Sequence, residues 1–309
     1  MSIDVSIIFV NYKTPELTKD AILSVKEKSL GFSYEIIVVD NSNDDEEFLE
    51  LQSLLPENVQ IINPRENLGF GKANNLGSLK ARGKYLFFLN TDTLLINNAI
   101  YELFSFSEKR YPCVAGSNLY TRKLKPWNSY CSYIVNAKNV AKDISLWSSI
   151  KRRFHRNDFN YSKKPLKIYG YVCGASLMIP RTAFEEIGGF DKDIFMYAEE
   201  TLLCYRLSKE KNMAIYNVPS SKIIHFEGGS QKGASEAQIN RSIEGNKVYF
   251  SKAFSYQEYI AYLKVMVHSI KQKRMFCSLM CNKKEKLRYE FLYNIYYRKL
   301  QEELKNDKL

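Results

Sequence analysis

Lys84 to Leu95 read KYLFFLNTDTLL. Five consecutive apolar residues, Tyr85 to Leu89, suit a strand buried on both faces. The run ends abruptly in Asn90, Thr91 and Asp92, a small polar cluster with one carboxylate. Open α/β sheets bind ligands beyond the carboxyl ends of their strands, which is where this cluster would fall. The competing reading is a turn in which Asp92 caps the next helix.

The same design recurs upstream. VSIIFVN, Val5 to Asn11, and EIIVVD, Glu35 to Asp40, are near-continuous apolar runs that end in a polar residue. Between them, Thr14-Pro15-Glu16 reads as an N-cap, a first-turn proline and an acid at the positive helix end, predicting a helix to about Lys28. A second helix over Asp44 to Leu55, a short strand Val59 to Ile62 and a glycine-rich loop entering a helix, NLGFGKANNLGSLKARG from Asn67, follow. Strands that alternate with helices predict an α/β fold with a mainly parallel central sheet flanked by helices. Three strand ends, at Asn11, Asp40 and Asn90 to Asp92, then deliver polar groups to one edge.

The chain has 309 residues, 45% of them hydrophobic, which suits one large α/β domain with an appendage, or two domains. The start, MSIDVSIIFV, lacks the pattern of a secretory leader, and no run approaches the ~18 apolar residues of a membrane span. Six scattered cysteines without a zinc pattern read as reduced thiols in a cytoplasmic protein. The net charge of +11 is uneven. Residues 121–169 hold 12 basic and 2 acidic residues, residues 247–309 hold 14 and 6, and the rest is net acidic. Two basic segments on an acidic body suit an anionic membrane surface or nucleic acid, or are a solvated basic face. The sequence carries no nucleic-acid recognition motif, so no nucleic-acid partner is expected.

Residues 121–169 interrupt the alternation with interleaved aromatic and basic residues, expected to be partly helical near Val140 to Phe154. The pattern resumes at Tyr171 to Pro180, with a helix from about Glu199 to Lys211 and strands AIYNVP and KIIHF. Beyond Asn246 the chain turns helical, basic and tyrosine-rich. These shifts predict a domain over 1–246, with 121–169 as an excursion, and a basic helical extension over 247–309.

Hard divalent cations are held by one or two carboxylates plus substrate phosphates, so Asp92 suffices if a diphosphate supplies further oxygens. The NLGFGKANN glycines let backbone approach a ligand, but they do not follow the first strand as a dinucleotide fingerprint must. Glu199 and Glu200 open a helix, where acids are ordinarily dipole partners; a carboxylate there also suits removal of a hydroxyl proton. Arg206 reads as a structural pair and Phe190 as an anchor. His225 ends a late strand and matters only if the fold brings it to Asp92.

In chain order, VSIIFVNYKTPE, EIIVVDNSNDD, NLGFGKANNLG, YLFFLNTDT, GASLMIPRTAFEEIGGFDKDIFMYAEETLLCYRL and IIHFEGGS resemble the motifs of an inverting glycosyltransferase of sequence family two. The resemblance covers residues 4–230 and points to the rhamnosyltransferase-like branch, with the GT-A (Rossmann-like) fold. It implies that Val10, Asn11 and Tyr12 line a nucleotide pocket and that Asp40 hydrogen-bonds the base. Asn67, Gly69 and Asn74 would lie beside the sugar nucleotide. Asn90-Thr91-Asp92 would be the metal motif for Mg²⁺ or Mn²⁺, with His225 beside it. Glu200, or its neighbour Glu199, would be the base. Two departures stand out: Asn90 replaces an acid, and Leu202 stands where many relatives carry a second Asp.

The resemblance further implies a nucleotide-sugar donor, dTDP-rhamnose or a UDP-hexose, and a glycan or lipid-diphosphate-linked acceptor in bacterial surface polysaccharide synthesis. Residues 121–169 would face that acceptor, with Trp127, Tyr130 and Trp147 available to stack on sugars. The stretch Tyr259 to Phe276 reads either as a basic amphipathic helix lying on the inner leaflet or as a helix packed on protein. A sugar nucleotidylyltransferase would need a basic glycine-rich loop after the first strand, which VNYKTPE does not supply. A degenerate scaffold or glycan-binding subunit is the non-enzymatic alternative.

Overall fold

Strand β1 (Val5–Asn11) runs through the interior of the main sheet, with Val5 and Ile7 to Phe9 sealed from solvent. Alternation decides which face each residue serves. Ile7 and Phe9 of β1 and Tyr85, Phe87 and Leu89 of β4 (Tyr85–Leu89) join one apolar cluster. That cluster packs on helices α1 (Pro15–Lys28), α2 (Asp45–Leu54) and α4 (Ala99–Lys109). Ile8, Leu86 and Phe88 join the opposite cluster, with α6 (Arg181–Glu186) and α7 (Glu199–Glu210). Helix α3 (Phe70–Ser78) lies on that second face, with Gly77 close against Ile8. Phe88 meets Phe184 and Phe190 with ring centroids 5.0 Å apart in each case. Each such fully buried ring is worth about 2–3 kcal/mol of transfer free energy.

We describe residues 2–145, 148, 156–226 and 235–307 in this computed structural model. Among the remaining strands are β2 (Tyr34–Asp40), β3 (Gln60–Ile62), β5 (Thr93–Leu95), β6 (Cys113–Tyr120), β8 (Leu166–Ile168), β10 (Ser176–Pro180) and β11 (Ala214–His225). The sheet order is β3-β2-β1-β4-β10-β6-β11-β5, with β8 also on β11. Following the pairings, β1, β2, β3, β4, β6 and β11 point one way, and β5, β8 and β10 run against them. The mainly parallel sheet flanked by helices therefore holds. Of the antiparallel strands, β5 follows directly after β4, while β8 and β10 come from the second half of the chain. Strands β7 (Tyr130–Cys131) and β9 (Tyr171–Val172) form a separate ribbon. The two strands expected over AIYNVP and KIIHF are one, β11, carried past Pro219 by an irregularity between Val218 and Lys222.

The chain forms two compact units: Met1–Tyr133 with Asp158–Lys232, and Ile134–Asn157 with Gly233–Leu309. The expected boundary at 246 falls within α8 (Glu236–Ala253), whose Ser235–Gln238 capping box starts the helix ten residues earlier. The 121–169 excursion is likewise split between units. In the helical unit, α5 (Ala137–Asp143), α8, α9 (Tyr256–Leu279) and α10 (Lys283–Asn306) pack together. The α9 residues Tyr259, Ile260, Tyr262, Leu263 and Ile270 are buried there, so this part of the predicted amphipathic helix packs on protein. Buried Glu303 accepts from Lys247 Nζ at 2.8 Å and Tyr256 Oη at 2.7 Å.

Two proposed sugar-stacking residues are not free to stack. Tyr130 is buried in the second cluster, and Trp127 packs on the first. Trp147, Phe154, His155, Gly228, Gly229 and Ser230 lie outside the described residues.

Candidate active site

Because six strands share a direction, the carboxyl ends of β1, β2, β4, β6 and β11 open onto one edge. Asn11 closes β1 and donates from Nδ2 to Asp40 Oδ1 at 2.9 Å. Its Oδ1 accepts from Thr18 Oγ1 at 2.9 Å and, at 3.3 Å, from the backbone N–H and hydroxyl of Thr14. Thr14 stands at the N-cap of α1 without capping it; its hydroxyl is spent on Asn11 and lies 3.3 Å from Thr91 Oγ1. A contact of side chains thus ties the end of β1 to the motif after β4. Tyr12 projects outward, half exposed, and Val10 is partly buried.

Asp40 is 1% exposed. Its Oδ1 accepts from Asn11, and its Oδ2 accepts from Ser42 Oγ at 2.8 Å. In this arrangement the carboxylate braces the turn after β2. Asn41, which sequence reading passed over, donates to Asn67 Oδ1 at 3.0 Å and accepts from the Leu68 N–H at 2.8 Å, fastening the glycine-rich loop to that turn. Gly69 has φ +77° and lies against Phe195, whose carbonyl oxygen would be 2.2 Å from an added Cβ. The glycine serves chain packing. Asn74 does not line the loop: it is buried, and its amide donates to the Phe70 carbonyl one turn back. The side chain that joins α3 to the next motif is Asn75, which donates to the Phe190 carbonyl at 2.8 Å and accepts from the Phe190 N–H at 2.9 Å.

After β4, Asn90 receives its place from a backbone bond to the Ala175 carbonyl. Asp92 Oδ1 lies 3.2 Å from His225 Nε2, and the Phe226 N–H donates to the Asp92 carbonyl at 2.8 Å. The pairing of β5 with β11 produces this meeting of residues 133 positions apart, since His225 faces Thr93 in the register. Two buried atoms here have no hydrogen-bond partner among the described residues: Asn90 Oδ1 and His225 Nδ1. Asn90 Nδ2 lies 3.4 Å from His225 Nε2.

Cis ligands of an octahedral Mg²⁺, at about 2.0–2.1 Å from the ion, stand about 3.0 Å apart. The Asp92–His225 separation matches that spacing, and the orphaned Asn90 oxygen is a third available donor. No cluster of three or more His, Cys, Asp or Glu side chains suited to a metal occurs among the described residues. The set therefore fits a cation that takes its remaining ligands from a substrate diphosphate and water.

Glu199 and Glu200 begin α7 after a left-handed turn at Tyr197 and Ala198. Glu199 is 5% exposed and lies against Gly71 and the Phe190 segment; its Oε2 has no hydrogen-bond partner among the described residues. Burial first, and then the neighbouring Glu200 charge, push its carboxyl above the ordinary range. Glu200 is partly exposed and lies beside Gly174. Burial raises its carboxyl as well, opposed by backbone N–H groups of Glu200 itself, Gly174 and Thr201. The segment Gly174–Ala175 thus touches Glu200 on one side and Asn90 on the other. That segment places the glutamate pair and the Asp92–His225 pair at the same edge of the sheet. Leu202 is 1% exposed in the core, so the departure at this position leaves the edge unchanged. Arg206 makes the structural contacts expected of it, to Glu210 at 3.0 Å and the Ile187 carbonyl at 2.8 Å.

One further basic group was missed. Arg122, in the turn after β6, holds its guanidinium 4.1 Å from the Phe226 ring centre, next to His225. No carboxylate among the described residues is paired with it. Only its place in the run RKLK marked it, and any lysine of that run carried the same signal.

The profile of glycosyl transferase family 2 matches residues 6–188. A low-salt glycan biosynthesis hexosyltransferase, Agl10 of Haloferax volcanii, is 26% identical over 266 residues, covering 83% of this chain and 80% of that protein. An N-acetylglucosaminyl-diphospho-decaprenol L-rhamnosyltransferase of Mycobacterium tuberculosis is 38% identical over 69 residues, 22% of this chain and 21% of that one. Among solved structures, GalNAc-T7 with UDP, GalNAc and Mn²⁺ superposes with a TM-score of 0.58 at 15% identity, covering 82% of this chain and 50% of that chain.

Proposed function

This chain belongs to glycosyl transferase family 2 and is a glycosyltransferase; from that premise we propose that it moves a sugar, with inversion, from a nucleoside-diphosphate donor to a hydroxyl of a lipid-diphosphate-linked glycan. The observation that carries the reading is the Gly174–Ala175 segment. It touches Glu200 and Asn90 at once, which supports grouping a partly exposed carboxylate with the Asp92–His225 pair in one site.

Glu200 is the base in this proposal. It has the exposure to meet an acceptor hydroxyl, whereas Glu199 is closed in beside Gly71. Glu200 takes the hydroxyl proton as that oxygen attacks the anomeric carbon from the face opposite the leaving group. The bond from that carbon to the diphosphate oxygen breaks as the new bond forms, and the nucleoside diphosphate departs. Asp92, His225 and the Asn90 oxygen would hold Mg²⁺ or Mn²⁺, which supplies neutralisation of diphosphate charge when bound. Arg122 adds fixed positive charge at the same edge. The nucleoside sits by Val10, Asn11 and Tyr12, at the strand-end turn that Asp40 braces from within. Asn67 and Gly69 frame the pocket through Asn41 and Phe195.

A pyrimidine donor, dTDP-rhamnose or a UDP-hexose, is supported by the rhamnosyl- and hexosyltransferases among the relatives. The diphospho-decaprenol in one relative's name supports a lipid-linked acceptor, and with it surface glycan synthesis at a cytoplasmic membrane face. No helix of the described residues is long and apolar enough to cross a membrane. The test is a thermal-shift series of nucleoside diphosphates with Mg²⁺ and with Mn²⁺. The proposal expects UDP or dTDP to raise the melting temperature only with a cation, and Asp92→Ala to abolish the rise. Equal response to purine nucleotides would sink the donor assignment.

A further inference from the structure

The buried residues of the α9–α10 hairpin stop at Ile270 on α9 and resume at Ile295 on α10. Between them, from Lys271 to Phe291, none of the residues is buried. This distal end nevertheless carries large apolar side chains. Leu279 is 82% exposed, Met280 65% and Leu287 58%, with Phe276 and Phe291 also open to solvent. Met275 is exposed there as well; scattered exposed apolar residues need no explanation, but six on one helical tip do. The same 21 residues hold seven basic and two acidic residues.

Apolar side chains set among Lys and Arg fit the boundary of an anionic bilayer, where the apolar groups enter the acyl region and the ammonium groups meet phosphate. Lysine stems extend that reach, because the aliphatic part can lie in the interface while the charge stays at the headgroups. A second copy of this chain fits poorly as the partner, since two tips would bring like charge together. We propose that the distal end of the α9–α10 hairpin, centred on Leu279, Met280, Lys283 and Lys284, docks into the surface of an anionic lipid bilayer. This surface lies mainly beyond the stretch Tyr259 to Phe276, read either as lying on the leaflet or as packed on protein; it shares only the exposed end of that stretch, whose Tyr259, Ile260, Tyr262, Leu263 and Ile270 pack on protein. The proposal rests on the reading that the acceptor is carried by a membrane lipid.

Full-length protein is floated with vesicles of phosphatidylcholine alone and of an equal mixture with phosphatidylglycerol. The expected result is binding to the mixed vesicles that weakens with salt, and little binding to the neutral ones. Lys283→Glu with Lys284→Glu should weaken binding about tenfold or more, because each basic residue near a charged leaflet adds appreciably to affinity. Leu279→Ser with Met280→Ser should weaken it comparably, through loss of the inserted groups. All four residues are exposed, so helicity and nucleotide-induced thermal shift should match the parent in both variants. Unchanged vesicle binding in both variants would overturn the proposal. So would a wild-type dimer in sedimentation that the variants lose, without vesicle binding. Intact, tip-dependent binding by a protein that turns over no lipid-diphosphate acceptor would instead overturn the acceptor reading and leave the docking surface standing.

Discussion

Glu199 and Glu200 are adjacent and chemically identical, yet their surroundings assign them different work. Glu199 is enclosed beside Gly71, while Glu200 meets backbone N–H groups at a partly open edge. Glu200→Gln should lower kcat by about 10²–10⁴-fold while leaving the UDP or dTDP thermal shift intact, since general-base removal costs that much. Burial raises the Glu200 carboxyl, and a base works only when deprotonated. The acid limb of kcat/KM should therefore fall above the roughly 4.3 of a free glutamate, and its disappearance in Glu200→Gln checks the assignment. For Glu199 the sign follows from linkage. A carboxyl raised in the folded state contributes full stability below its unfolded pKa and loses it as pH rises through the folded value. Glu199→Gln removes that loss. Its melting temperature should gain on the parent as pH rises from about 4.5 to about 8 and level off above that; a gap that stays constant with pH would contradict the buried acid.

Elements bring these residues together through backbone and amide contacts that carry no chemistry of their own. Helix α3 is fastened to the segment before α7 by Asn75 on Phe190, by the Phe70 N–H on the Phe195 carbonyl, and by the close approach at Gly69. Gly69→Ala places a Cβ in contact with that carbonyl, at φ +77° and ψ 176°, a region essentially reserved for glycine. Strain and overpacking together should cost about 2–5 kcal/mol. Denaturant unfolding reads the loss, and kcat should fall as well, because the Phe195 segment leads into Glu199 and Glu200. A stability change below about 1 kcal/mol would show that the approach is relaxed easily.

At the scale of the molecule, the helical unit takes its chain from two stretches, Ile134–Asn157 and Gly233–Leu309, and is organised around a buried acid. Burial works to raise the Glu303 carboxyl, but Lys247, Tyr256 and Lys299 outweigh it, and the group titrates below its ordinary range. A lowered carboxyl contributes stability above its unfolded pKa and loses it as pH falls through the folded value. Glu303→Gln should thus cost about 1–3 kcal/mol at neutral pH, with the difference from the parent shrinking below about pH 4. Circular dichroism of acid and urea titrations follows it. A deficit of the same size at every pH would mean that shape, and not charge, is what Glu303 supplies.

The sequence by itself determined the first strands and helices and the edge where chemistry belongs. Apolar runs at Val5, Glu35 and Tyr85 bury both faces of a sheet only in one pattern, and local spacing suffices to read it. The polar strand ends at Asn11, Asp40 and Asn90 to Asp92 were legible for the same reason. What only the tertiary structure decided is which of those groups remain available. Asp40 and Asn74 look open in the sequence and are enclosed in the fold; Trp127 and Tyr130 look like a binding surface and are packing. His225 reaches Asp92 through strand pairing across more than a hundred residues, and Arg122 comes beside Phe226 from a different strand end. Burial and long-range contact depend on how separate segments pack. Residue spacing carries no record of that.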